Sequence, residues 1–418
     1  MKNIYNVLNE RGYIFQATHL EKIKNQINGN PITFYLGIDP TADSLHIGHF
    51  FALMMFRYLQ DAGHKGILVI GGATALVGDP SGKSEMRTML SKNEVAYNIE
   101  EVKNLAMRFI RTNGENPAII LNNADWINSY SFIDFLRDIG IHFNINRMLA
   151  AETYSSRLEE GGLTFLEMGY MLMQSYDFVY LKNNFNCVLQ IGGSDQWGNI
   201  VAGINLNRKL NNIIEELHND EKEIYGLTCP LLMTKEGIKM GKSEKGTLWV
   251  AREKTTPFDF YQYFYNVKDE DVEKLLKLFT RVPLDEISYL CNTNIIESKR
   301  KMAYEITKLV HGVEAADSVV CAVTTLFGDN SNFSDVPTIT INNPFVFSKI
   351  NIIDFLVTTN FLSSKSEAKR MVSQGAISIN NNKVLNDTFM VSMDNVINNH
   401  IILKKGKKTF LRVVIQIT

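Results

Sequence analysis

The sequence predicts an α/β protein: a doubly wound parallel sheet, then an all-α domain, then a small α+β unit. Three observations carry this. Residues 33–72 run strand, helix, strand with short turns, as a βαβ unit does. From Phe258 to Gly328 the pattern becomes helical. The final 69 residues change again, to short apolar runs broken by Asn and Gly, with nine basic groups against four acidic ones.

Thr33 to Ile38 reads as a buried strand, and Asp39-Pro40-Thr41-Ala42-Asp43-Ser44 as a turn ending in helix-cap residues. A helix follows from Leu45 to Asp61, closed by Gly63, and Gly66 to Ile70 is the next strand. Ala118–Asn122 and Cys187–Ile191 are further strands of an open sheet that reaches about residue 230. The helical stretch shows breaks near Asn266, Pro283 and Gly312. Residues 329–349 are polar, hold Pro337 and Pro344, and read as a linker. In the last unit Ser364 caps a short helix ending at Gln374, Gly375 terminates it, and Ala376–Ile379 begins a strand. Asn380-Asn381-Asn382 suits a tight turn, and Lys404-Lys405-Gly406-Lys407-Lys408 stands between two strands.

A chain of 418 residues implies roughly two to four domains. Its 45% hydrophobic and 21% charged content suits a soluble globular protein and excludes a small disulfide scaffold. The whole carries only −2, but the last 69 residues carry +5, which points to a polyanion partner for the tail. Cys187, Cys229, Cys291 and Cys321 have no zinc or redox spacing, so free buried thiols in a reducing, cytoplasmic setting are expected. The N-terminus lacks a signal-like apolar stretch, and no run approaches the ~18 apolar residues of a membrane span.

Gly78-Asp79-Pro80-Ser81-Gly82-Lys83-Ser84 imitates a P-loop, but Val77 stands where that motif needs Gly, and Pro80 removes a donor. The loop can still offer Lys83 and Arg87 to phosphates, with Asp79 just past a strand end. His46 and His49 lie three apart at a helix start, where anions are favoured and the dipole favours neutral imidazole. Gly48 between them leaves room for a flat base. Lys239-Met240-Gly241-Lys242-Ser243, about 190 residues on, lies in a Gly-rich stretch suited to a transient phosphate charge. Tyr170, Gln174 and Asp177 form one polar stripe on a helix otherwise rich in Met and Leu. Each feature has a plain structural counterpart: capping histidines, a solvated loop, an internal hydrogen-bond network.

Together these motifs resemble the class I aminoacyl-tRNA synthetases, which pair a HIGH-type with a KMSKS-type motif. Tyr35 to His49, Gly71-Gly72-Ala73-Thr74 through Gly82, and Gln190 to Asn199 are similar to the bacterial tyrosyl-tRNA synthetase family. Gly241 stands where the class pattern usually has Ser, which removes a hydroxyl and adds flexibility. Ser364 to Arg370 with Gln374 to Ile377 resembles the small RNA-binding domain first seen in a ribosomal small-subunit protein.

The resemblance implies a Rossmann-like catalytic domain over 1–229 with a dimer-forming insertion, and a mobile loop over 230–246. A helical tRNA domain over 247–328, the linker 329–349 and a basic RNA-binding domain over 350–418 would follow. It implies tyrosine–tRNA ligase chemistry, with L-tyrosine, ATP and tRNA(Tyr) as partners in a homodimer. Mg2+ would come with ATP, and no tightly bound metal or organic cofactor is expected. Tyr35 and Asp177 would bond the phenol; Asp79, Tyr170 and Gln174 the ammonium; Gln196 the carboxylate. Thr41, His46 and His49 would serve the phosphates from one side, and Lys83, Arg87, Lys239 and Lys242 from loops. Asp39, Gly193 and Asp195 would hold tyrosine-side groups and the ribose. Lys365, Lys369, Arg370 and Lys383 would meet RNA phosphates. Two other readings share parts of this pattern: a small nucleotidyltransferase of the same superfamily, and a non-catalytic RNA-binding descendant.

Overall fold

The computed structural model describes residues 3–81, 89–151, 154–155, 158, 162–211, 223–233, 240–243, 246–327, 337–342, 349–380, 382–397, 399–406 and 409–416. The chain forms two compact units, Met1–Lys254 with Glu270–Thr293, and Thr255–Asp269 with Asn294–Thr418.

The first unit holds β1 (Gln16–Ala17), β2 (Thr33–Ile38), β3 (Lys65–Ile70), β4 (Ile119–Asn122), β5 (Cys187–Gly193) and β6 (Tyr225–Cys229). They form one sheet in the order β1-β6-β5-β2-β3-β4. The strands from β2 to β6 pair in parallel, and β1 closes the edge antiparallel to β6. The chain runs outward from β2 to β4, then crosses back to β5 on the other flank of β2. The order therefore reverses between β2 and β5, and a crevice opens at their carboxyl ends.

The expected strand–helix–strand unit is present as β2, the helix Ile47–Asp61 and β3. The helix starts two residues later than the sequence reading. Ser44 is not its cap, because the Ser44 hydroxyl is engaged by the backbone N–H of Ala251 (3.2 Å). His46 caps instead, accepting from the N–H groups of Gly48 and His49. The helix is apolar almost all round because it lies between the sheet and other helices. Its Phe56 ring meets Phe34 edge-on at 4.8 Å, and Gly66 makes room for it: a Cβ there would lie 2.2 Å from Phe56 Cζ.

The helical stretch expected over 247–328 is shared between the units. The helices Asp269–Phe279 and Leu284–Thr293 belong largely to the first. Arg11 supplies a physical reason: its buried guanidinium donates to the carbonyls of Lys277 (3.1 Å), Thr280 (2.8 Å) and Val282 (2.8 Å). These satisfy a helix end that would otherwise be left bare. Tyr13 donates to the Leu278 carbonyl, and Phe279 stacks on Phe50 at 5.7 Å.

In the second unit the helices Pro257–Tyr265, Ile295–His311 and Val313–Phe327 pack together. An extra break falls at Asn294, whose side chain caps the next helix by accepting from the Glu297 N–H (3.1 Å). The C-terminal part contains β9 (Thr338–Asn342), β10 (Ile350–Asn351), β11 (Ile377–Ile379), β12 (Asn382–Val384), β13 (Met390–Val391), β14 (His400–Lys405) and β15 (Thr409–Gln416). Five of these form a sheet in the order β12-β11-β14-β15-β9. Residues 338–342, expected within a linker, are therefore a strand, parallel to β15. Ile339 and Ile341 alternate with polar residues and pack on the core formed by Ile352, Leu356, Val372 and Val413. Ser364 caps the helix Lys365–Ser373 as expected, and Gly375 takes φ +64° just beyond it. Lys404 and Lys405 lie within β14 rather than in the turn. Cys187 and Cys229 are buried, but Cys291 is only half-buried and Cys321 is exposed, which corrects the expectation that all four are interior.

Candidate active site

A cleft of about 670 Å³ opens at the carboxyl ends of the parallel strands. It brings together Tyr35, Asp39, Thr41, His46, Gly48, His49, Asp79, Tyr170, Gln174, Asp177, Gly193, Asp195 and Gln196, all nominated from sequence. Lys83, Arg87 and Lys239 lie outside the described residues. Lys242 falls in β7 (Lys242–Ser243), a strand paired with β8 (Gly246–Thr247), and its neighbour Gly241 lines the cleft.

At one end Asp177 is buried. Its carboxylate accepts from Trp126 Nε1 (2.7 Å) and Asn123 Nδ2 (3.1 Å). Burial pushes its pKa up to about 7, against those two donors, and the charge of Asp39 adds to the rise. Tyr35, on β2, is equally buried, and its hydroxyl has no hydrogen-bond partner among the described residues. Burial and the nearby Asp177 raise the Tyr35 pKa well above its usual value, so it remains a neutral donor. Sequence reasoning missed Asn123 and Trp126. The usable signal was their place, directly past the carboxyl end of β4.

A polar network covers the middle. Asp39 accepts from Tyr170 (2.9 Å) and Thr74 (2.7 Å). Asp79 accepts from Gln196 Nε2 (2.7 Å) and from the Ser81 N–H (2.9 Å). Gln174 Nε2 donates to Gln196 Oε1 (3.2 Å), while the Gln174 and Gln190 side-chain amide oxygens are buried without partners among the described residues. Gly71 permits this crowding: a Cβ there would lie 2.0 Å from Asp39 Oδ1. The stripe Tyr170, Gln174, Asp177 thus faces the cleft, and the network is partly internal and partly open.

The other end holds the imidazoles. His46 Nδ1 accepts from the N–H groups of Gly48 (3.1 Å) and His49 (3.3 Å), and His49 Nδ1 accepts from the His46 N–H (3.3 Å). An accepting Nδ1 assigns each ring proton to Nε2. The rings stack at 3.7 Å, an arrangement that disfavours two positive charges. A Cβ on Gly48 would sit 2.9 Å from the His46 ring, so this glycine makes room for the imidazole.

The lysine segment is tied to this imidazole segment by backbone. The Val250 N–H donates to the Leu45 carbonyl (2.8 Å), and the Ile47 N–H to the Leu248 carbonyl (3.2 Å), with His46 bridged antiparallel to Trp249. The two stretches sit at one end of one cleft.

A family model described as class I tRNA synthetases (W and Y) matches residues 27–328, and one for the tyrosine–tRNA ligase C-terminal domain matches 330–413. The chain is 46% identical to tyrosine–tRNA ligases of Clostridium tetani and Acetivibrio thermocellus, each over 99% of both sequences. A C-terminally truncated mitochondrial tyrosyl-tRNA synthetase of Aspergillus nidulans is similar at TM-score 0.68 and 30% identity, covering 78% of this chain and 95% of that one. A tryptophanyl-tRNA synthetase of Encephalitozoon cuniculi, at 16% identity and TM-score 0.53, shares the fold; the match covers 75% of this chain and 87% of that one. The chain belongs to the class I tRNA synthetases for tryptophan and tyrosine. It falls on the tyrosine side of that family, with tyrosine–tRNA ligase activity: ATP-driven activation of tyrosine and its transfer to tRNA.

The raised Asp177 pKa has a thermodynamic consequence. Its folded value lies above the ordinary 3.8, so the stability it contributes is full below about pH 4 and is lost as pH rises through about 7. Without substrate, the wild type should lose stability relative to Asp177→Asn by up to about 1.4 kcal/mol per pH unit across that window. Unfolding midpoints of both proteins from pH 4 to 8 measure this. A difference that does not change with pH would contradict it.

Proposed function

We propose that the cleft binds tyrosine with its phenol between Tyr35 and Asp177 and ATP with its phosphates at the imidazole end. The Tyr35 hydroxyl beside buried Asp177, without a partner among the described residues, carries this reading. A substrate phenol would accept from Tyr35 and donate to Asp177; phenylalanine would leave the Tyr35 hydroxyl unpaired and give Asp177 nothing beyond Trp126 and Asn123. Tyrosine-activating enzymes are themselves a standing illustration of this rule. Asp79, Tyr170 and Gln174 would hold the ammonium, and Gln196 the carboxylate. Asp39, Gly193 and Asp195 would hold tyrosine-side groups and the ribose. A Cβ on Gly193 would lie 2.5 Å from Asp195 Oδ1, so the glycine leaves that carboxylate room.

The tyrosine carboxylate attacks the α-phosphorus and pyrophosphate leaves. The terminal ribose hydroxyl of tRNA(Tyr) then attacks the adenylate carbonyl. No covalent enzyme intermediate is needed, because positioning and stabilisation of phosphate charge supply the catalysis. His46 and His49 donate from Nε2, with Thr41 beside them. Lys83, Arg87, Lys239 and Lys242 would serve the phosphates as well, Lys242 from β7, and Gly48 would lie on the ATP side. Mg2+ enters with the nucleotide; among the described residues no group of three His, Cys, Asp or Glu could hold a resident ion.

Lys365, Lys369 and Arg370 are exposed on one helix and Lys383 on β12, a placement that favours contact with tRNA phosphates. Large apolar side chains are exposed between β4 and β5, among them Phe132, Ile133, Ile141, Ile145 and Phe165. Such a patch favours a homodimer built on this insertion. Free thiols favour a reducing, cytoplasmic setting. Among the described residues no helix is long and apolar enough to cross a membrane.

Tyrosine-dependent exchange of pyrophosphate into ATP tests the cleft. Tyrosine should support exchange, and phenylalanine and tryptophan should not. His49→Ala should lower kcat by about 10²-fold with tyrosine KM little changed. A raised tyrosine KM at unchanged kcat would contradict the phosphate role. Replacing Lys369 and Arg370 by Glu should raise the KM for tRNA and leave exchange intact; normal charging by that variant would overturn the role given to the tail.

A further inference from the structure

Gly241 meets two constraints at once. Its φ is +90°, a region strained for residues with a Cβ. A Cβ built there would lie 2.6 Å from Ile47 Cγ2. Ile47 is buried and opens the helix Ile47–Asp61, between His46 and Gly48. The Gly241 carbonyl accepts from the Leu248 N–H (2.6 Å), and the Leu248 carbonyl accepts from the Ile47 N–H (3.2 Å). Two backbone bonds and one van der Waals seat therefore close a ring: 47 to 248, 248 to 241, and 241 back to 47. The turn is packed against Ile47 in this structure.

We propose that Gly241 is a positioning residue for tyrosine activation. It seats the lysine hairpin directly on the imidazole-bearing helix and so holds the Lys242 backbone in a fixed place relative to His46 and His49. The proposal rests on the reading above, in which Lys242 serves the phosphates. Alanine at 241 meets Ile47 Cγ2 and the strained φ together, so the hairpin and the helix must shift apart or the turn must change its backbone conformation. Tyr35 and Asp177, at the other end of the cleft, are outside the ring.

Single-turnover adenylate formation by the full chain tests it, alongside the equilibrium Kd for tyrosine. Gly241→Ala should slow adenylate formation by about tenfold or more. Its tyrosine Kd should stay at the wild-type value, which also reports that the variant is folded. Ile47→Leu removes the clashing Cγ2 at similar volume. Added to Gly241→Ala it should recover part of the lost rate, the remainder being the φ strain. A wild-type rate for Gly241→Ala, a loss that Ile47→Leu leaves untouched, or an equal loss of tyrosine affinity would each overturn the proposal. Lys242→Ala separates the layers. If it runs at full rate, the phosphate reading of the lysine fails. If it is slow while Gly241→Ala is not, only the role of Gly241 fails.

Discussion

The site depends on one short stretch of antiparallel backbone. Leu45 to Ile47 pairs with Leu248 to Val250 through two hydrogen bonds and a bridge at His46. Two motifs separated by about 190 residues meet there at the mouth of one cleft. Backbone pairing sets register in a way that side-chain contact does not, since a one-residue slip would reverse which residues face the cleft. The same pairing explains why His46, rather than Ser44, caps the helix. Ser44 is drawn into the pairing by Ala251, so the cap moves two residues on.

The opposite end works through incomplete satisfaction. Asp177 is held by Trp126 and Asn123, yet burial keeps its pKa near 7. Among the described residues the Tyr35 hydroxyl and the Gln174 and Gln190 side-chain amide oxygens are buried without partners. Each such group costs about 1–3 kcal/mol, so the free protein holds polar groups that only a complementary ligand relieves. In the proposed reading, specificity would follow from this more than from shape: an amino acid without a phenol would leave the Tyr35 hydroxyl bare.

Much of this was legible from residues alone, where local chemistry and burial agree. β2, the helix after it and β3 were read correctly because an apolar run, a turn-rich segment and a second apolar run fall in sequence. The polar stripe Tyr170, Gln174, Asp177 was visible because polar groups at helical spacing on an apolar helix need a destination. What failed depended on distant partners. The helices Asp269–Phe279 and Leu284–Thr293 fall largely in the first unit, where Arg11 and Tyr13, from the far end of the chain, bond the carbonyls of residues 277–282 at the junction between them. Asn123 and Trp126 reach the site through Asp177, which is more than 50 residues away. β9 was passed over because its apolar alternation is diluted by Thr and Asn, and it pairs with β15 about 70 residues later.

Amide hydrogen exchange at Ile47, Leu248 and Val250 in the free protein tests the central pairing most directly. The Ile47 and Val250 N–H groups donate within it, to Leu248 and Leu45, and the Leu248 N–H ties it to the lysine segment at Gly241. The account predicts slow exchange at all three amides, with the three released together on local opening. Exchange of these amides at the rate of an unstructured chain would mean that the imidazole and lysine segments are not joined, and the account of the site would not stand.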